Sequence, residues 1–127
     1  MQYELHRQLR LAGLLHVNTN AVHPGIVDTE LPRFLPANFY PLMKQTGILI
    51  SSKEGAQGQI KLCSDPSLTA AGTYWAELAS EGKPGVHGQR RSTQASYNRE
   101  DSAKLWEMSA ELTGSSFDFA KAARSRE

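Results

Sequence analysis

The sequence predicts an α/β fold, and three observations carry that prediction. Apolar residues at helical spacing open and close the chain. Two short runs rich in β-branched or aromatic residues, 16–22 and 72–78, read as strands. A further helical stretch from Ser51 lies between them, so helices alternate with strands as in a layered α/β structure.

Each element has its own local reason. Leu5, Leu9 and Ala12 share one helical face, with Leu14 and Leu15 near it, while His6, Arg7 and Arg10 fall elsewhere; this amphipathic helix ends near Gly13. Residues 16–22, His-Val-Asn-Thr-Asn-Ala-Val, form a strand that Pro24 and Gly25 stop. Residues 31–50 hold Pro32, Pro36 and Pro41 among Leu31, Phe34, Leu35, Phe39, Tyr40, Leu42 and Met43. Prolines at that density forbid one long helix, which leaves short helical turns and loop carrying exposed apolar groups over some other part of the molecule.

Ser51 with Glu54 fits a capping box, and Ala56, Ile60 and Cys63 mark an apolar stripe up to Asp65-Pro66. Gly72–Leu78 is the second strand, and the Gly and Pro content of residues 79–96 makes them a loop. A last helix starts near Asn98 or Arg99, runs through Leu105, Trp106 and Met108 to Leu112 and stops at Gly114. Residues 115–127 are small and polar and read as a flexible tail. Two strands alone make a marginal sheet. The chain also opens inside a helical pattern with no Ser, Thr, Asp or Asn before it, so it is expected to be the end of something larger.

Composition narrows the function classes. At 127 residues and 39% hydrophobic, the chain has the size and the core of one domain. A formal charge of +1 supplies no basic field for nucleic acid or an anionic membrane. A single cysteine, Cys63, excludes an internal disulfide, and His6, His16, His23 and His87 show no ligand spacing, so no metal site is expected. No apolar run approaches the roughly twenty residues of a membrane span, and no secretory leader is evident, which leaves a soluble intracellular protein as the expectation. A hydrolase elbow, Gly-x-Ser-x-Gly, does not occur. Tyr74, Trp75 and Trp106 fit core or interface positions better than a base-stacking platform.

The stretch Asn20-Ala21-Val22-His23-Pro24-Gly25-Ile26-Val27-Asp28-Thr29-Glu30-Leu31 resembles a segment of the short-chain dehydrogenase/reductases. There the sixth strand of a Rossmann-like sheet runs into the substrate loop as Asn-Ala-x-His-Pro-Gly-x-Val-x-Thr-x-Leu. Four further pieces resemble that family in the same order: residues 4–9, 52–68, 72–75 and 102–114. The similarity covers about residues 3–114 and points to the retinol-dehydrogenase and protochlorophyllide-reductase-like branch.

The resemblance implies that residues 1–114 are the carboxyl-terminal portion of one NAD(P)-binding domain. Its doubly wound parallel sheet would run helix, strand, lid, helix, strand, helix, with the amino-terminal strands missing. A ligand in such a sheet lies beyond the carboxyl ends of the strands. Pro24, Gly25, Ile26, Val27 and Thr29 are therefore implied cofactor-binding residues, with Val27 offering its backbone and Thr29 its hydroxyl to an NADP or NAD nicotinamide. The breakers Pro24 and Gly25 would make room for that flat ring. On the residues alone, a Pro-Gly pair after a strand is an ordinary turn. Residues 31–50 would be a substrate lid, with Leu31, Phe34, Leu35 and Phe39 facing a lipophilic carbonyl or alcohol.

The chain departs from the family where the chemistry is done. The phosphate-binding glycine motif is absent, and the family's catalytic Tyr-x-x-x-Lys would fall before Met1; Tyr3 is followed at the fourth position by Arg7. No catalytic residue is carried over, and cofactor binding by this chain alone is expected to be weak or absent. The implied function is an oxidoreductase on a lipophilic carbonyl or alcohol, inactive as this chain. Its partners would be the small substrate, a second copy, or the missing amino-terminal half. The alternative is a non-catalytic interaction module that pairs through the sheet edge the missing strands leave bare.

Overall fold

A computed structural model of the chain describes residues 1–30, 36, 38–69 and 71–124 and shows a mixed α/β structure. In chain order the elements are α1 (Gln2–Leu11), β1 (Asn20–His23), β2 (Ile26–Val27), α2 (Phe39–Gln45), β3 (Leu49–Ile50) and α3 (Ser52–Ser64). They continue with β4 (Thr73–Leu78), β5 (Lys83–Arg90), α4 (Arg99–Thr113) and α5 (Phe119–Arg124). β1, β4 and β5 form one sheet in the order β1-β4-β5, while β2 and β3 pair in parallel. None of the described helices is long and apolar enough to cross a membrane.

The chain divides into two compact units. The first comprises residues 1–21, 69–73 and 91–127, and the second residues 22–68 and 74–90. In the first unit α1 packs against α4, with Leu9 and Leu14 buried. The chain leaves α1 through Gly13 at φ +76°, and Arg10 donates to the carbonyls of Leu15 and Val17 at 2.9 Å. The second of those bonds occupies Val17, a residue expected to be extended, and β1 begins at Asn20 rather than at His16. Asn20 Oδ1 accepts from the amide and hydroxyl of Thr73 at 3.1 and 2.7 Å.

α4 begins and ends where its caps dictate. Asn98 Oδ1 accepts the amides of Glu100 and Asp101 at 3.0 and 3.2 Å, and Gly114 closes the helix at φ +62°. Part of the segment expected as a tail is helical: α5 places the Phe119 ring 5.9 Å from Trp106, and Phe117 meets Phe119 edge-on at 4.7 Å. An aromatic cluster holds this short helix where its polar composition predicts none.

In the second unit α3 lies on β5 and β2. Its capping box is formed as expected: the Glu54 amide donates to Ser51 Oγ at 3.2 Å and the Ser51 amide donates back to Glu54 Oε2 at 2.7 Å. Its buried face differs from the expected one. Ile60 is 53% exposed and Cys63 is exposed, whereas Gly55 and Gly58 are buried. A Cβ on Gly55 would lie 2.6 Å from Val27 Cγ2 and one on Gly58 2.7 Å from His87 Cδ2. The strand side chains supply the bulk, so the helix needs residues without any.

Residues 83–90 form β5 and not a loop. β5 runs antiparallel to β4, with Tyr74 opposite Arg90, Trp75 opposite Gln89, Ala76 opposite Gly88 and Glu77 opposite His87. Gly82 at φ +71° makes the turn, and an irregularity between Glu77 and Leu78 admits Pro84, which has no N–H to give the ladder. Trp75 is buried and takes Lys61 Nζ 5.4 Å from its ring centroid.

Candidate functional site

The turn after β1 is built from the residues outward. The Gly25 amide donates to His23 Nδ1 at 3.1 Å, which puts that imidazole's proton on Nε2. Gly25 adopts φ +94°, a conformation that costs a residue with a Cβ about 1–2 kcal/mol. The chain reverses there and enters β2, where Ile26 and Val27 pair with Leu49 and Ile50. The Asp28 amide prolongs that pairing, donating to the Ile50 carbonyl at 2.8 Å.

Two residues that sequence reasoning left out bracket this turn. Glu77 and His87 face one another across the β4–β5 ladder and therefore project from the same side of the sheet. The Glu77 carboxylate fills the space where a side chain on Gly25 would stand, 2.8 Å from that Cβ position, while its other oxygen accepts the Gly85 amide at 2.8 Å. His87, 6% exposed, reaches the Pro24 carbonyl with Nε2 at 3.2 Å. A carbonyl only accepts, so Nε2 carries a proton, and Nδ1 is buried with no hydrogen-bond partner among the described residues. Their signal was the pairing register of β5, which a loop assignment for residues 79–96 concealed.

The sequence-derived site residues are placed as follows. Pro24 and Gly25 form the turn, with Gly25 occluded by Glu77. Ile26 is 42% exposed, Val27 turns its side chain onto α3 at Gly55, and Thr29 is exposed. Of the lid residues, Leu31, Phe34 and Leu35 lie outside the described residues, and Phe39, 44% exposed, opens α2.

α2 also carries a Tyr-x-x-x-Lys spacing, Tyr40 and Lys44. The two side chains share a helix face, with Lys44 Nζ 6.0 Å from the Tyr40 ring centroid. The chemistry is the reverse of what a catalytic phenol needs. Tyr40 donates to Asp28 Oδ1 at 2.5 Å, and that hydrogen bond holds its pKa above the ordinary tyrosine value. The pair ties α2 to the segment after β2, and the phenol keeps its proton in that hydrogen bond.

Among the described residues no group of three or more His, Cys, Asp or Glu is arranged to hold a metal ion. No protein-family model matches the chain, and no curated protein matches it.

Proposed function

We propose that the chain contributes the nicotinamide-side turn and substrate lid of a Rossmann-like, NADP- or NAD-dependent short-chain oxidoreductase that acts on a lipophilic carbonyl or alcohol. The observation that carries this reading is the turn itself. A strand ends at His23, the backbone reverses at Gly25 with φ +94°, and β2 leads on to the exposed Thr29. In an open parallel α/β sheet a ligand lies beyond the carboxyl ends of the strands. The segments similar to that family follow one another in the family's order.

The reading assigns no turnover to these residues alone. Hydride transfer to a carbonyl needs a proton donor at the oxygen and a held dinucleotide. Tyr40, the tyrosine with a lysine four residues on, is held protonated by Asp28. The test is to capture the endogenous protein with an antibody to residues 104–114, measure its intact mass, and assay it with NADPH and NADH on lipophilic aldehydes. A mass well above 14.0 kDa with turnover that Thr29→Val impairs is the expected result. Absence of cofactor binding and turnover in the captured form overturns the reading.

Strand order favours one other reading, a non-catalytic interaction module. β1 is an outer strand of the three-stranded sheet, and an outer strand can pair with another chain. β5, the other outer strand, carries Lys83 and Pro84, which oppose such pairing. A captured protein of this chain's own mass, bound to a second chain and released by a proline at Val22, would favour the module.

A further inference from the structure

In the first unit, α1 and the segment from Ser96 to Ser102 enclose a cleft of about 320 Å³ with a basic wall. Arg7, Arg10 and Arg99 line it, together with Tyr3, His6 and Tyr97. Glu4, the carboxylate of that wall, is 2% exposed and accepts from Arg7 Nε at 2.9 Å and from Gln8 Nε2 at 2.7 Å, so its charge is matched by Arg7. Among the described residues Arg10 binds only neutral acceptors, the carbonyls of Leu15 and Val17 and the Asn18 side chain. Arg99 forms no ion pair among the described residues.

The nearest carboxylates after Arg99 are engaged as well: Glu100 pairs with Lys104 at 2.8 Å and Asp101 accepts from Asn98 at 2.6 Å. Neither the Arg10 nor the Arg99 guanidinium at this cleft is therefore in an ion pair among the described residues. Burial, and then the charge of Arg10, hold the His6 pKa below its usual value, so His6 adds no charge at neutral pH.

One wall of the cleft is aromatic. The rings of Tyr3 and Tyr97 stack with centroids 5.1 Å apart and planes at 29°, and Tyr97 is 40% exposed. The Tyr97 oxygen is held in place by the Ser92 amide, which donates to it at 3.1 Å. A flat ring extends such a stack, and a guanidinium matches a carboxylate in charge and in the geometry of its donors.

We propose that this cleft binds a small organic anion whose carboxylate is carried on a flat unsaturated ring. The carboxylate meets the guanidinium groups of Arg10 and Arg99, and the ring lies on the exposed Tyr97. A cleft of about 320 Å³ is at the small end of ligand sites and holds one such ring rather than a dinucleotide. The proposal is independent of the oxidoreductase reading, which concerns residues of the turn after β1.

The test is two-dimensional amide NMR of the 127-residue chain titrated with benzoate, with benzyl alcohol and inorganic phosphate as comparisons. Benzoate is expected to give saturable shifts at Ser96, Tyr97, Arg99 and Ser102, at least about fivefold tighter than either comparison compound, because both charge and ring contribute. Arg99→Gln is expected to weaken benzoate by about fivefold or more while leaving amides of the second unit unmoved. If that variant perturbs the whole spectrum, Arg99→Lys, which keeps the charge and loses the fork, is expected to bind more weakly than the parent. Absence of saturable shifts, equal affinity for benzyl alcohol or for phosphate, or unchanged binding in both variants overturns the proposal.

Discussion

Glu77 lies against Gly25, with its Oε2 2.8 Å and its own Cβ 3.1 Å from where a Gly25 Cβ would stand. The same carboxylate accepts the Gly85 amide, so one side chain of β4 touches the turn after β1 and the backbone of β5. The expectation that Pro24 and Gly25 open a space thus meets a space occupied by a carboxylate. Gly25→Ala combines the cost of a left-handed backbone with that close approach, and it is expected to lose about 2–4 kcal/mol of stability. Urea unfolding followed by tryptophan fluorescence measures it. A midpoint equal to the parent's would show that Glu77 does not press on the turn.

Gly58 offers a second case, with the usual sign reversed. Alanine in place of glycine inside a helix ordinarily stabilises by about 1 kcal/mol. Here the new methyl would lie 2.7 Å from His87 Cδ2 and 2.9 Å from Val22 Cγ1, neither of which is the loose end of a long side chain. Gly58→Ala is expected to destabilise by about 1–3 kcal/mol, and thermal unfolding by circular dichroism checks the direction. A raised midpoint would remove the claim that α3 needs a bare backbone against β5.

Glu4 is a buried carboxylate whose pKa is held below the ordinary range, first by its hydrogen bond with Arg7 and then by that with Gln8. Its folded value lies below its unfolded one. The stabilisation it brings is therefore fully present above the ordinary value of 4.5 and is lost as pH falls through the depressed value. Glu4→Gln removes the charge but keeps the shape, and it is expected to cost about 2 kcal/mol at pH 7. The gap between parent and variant should close in acid; a gap that stays constant down to pH 2 in paired denaturant titrations would contradict the assignment.

Tyr97 ionises unusually easily. Hydrogen bonding to the Ser92 side chain, then to Tyr3 and to the Ser92 amide, brings its pKa down from 10 to about 8. Ultraviolet titration is expected to show one tyrosine ionising near that pH, and Tyr97→Phe should abolish that step alone. The folded value is below the unfolded one, so relative to Tyr97→Phe the parent gains stability as pH rises from about 8 towards 10 and loses the gain as pH falls through about 8. Tyrosine ionisation confined to pH values near 10 would rule this out.

The parts legible from sequence are those whose cause lies within a few residues. The Ser51 and Glu54 capping box, the start of the last helix near Asn98 or Arg99 and the Gly13 and Gly114 stops are arrangements of one helical turn, and all four occur where the pattern places them. β5 was not legible, because its Gly and Pro content is that of a loop and its strand character comes from pairing with β4. The apolar stripe of α3 misled for a related reason. Pattern reading weighs side chains, while Gly55 and Gly58 are buried for having none.

By itself, then, the sequence determined an alternation of helices and strands, the Ser51 capping box, the helix stops at Gly13 and Gly114, and a sharp turn at Pro24-Gly25, since each follows from backbone hydrogen bonds and steric limits inside a short window. Only the tertiary structure decided what stands beside that turn and which faces are buried. Glu77 and His87 reach Gly25 and Pro24 across more than fifty residues of chain, as the register Glu77 to His87 requires. Such contacts depend on which strands pair, and no local propensity encodes that choice.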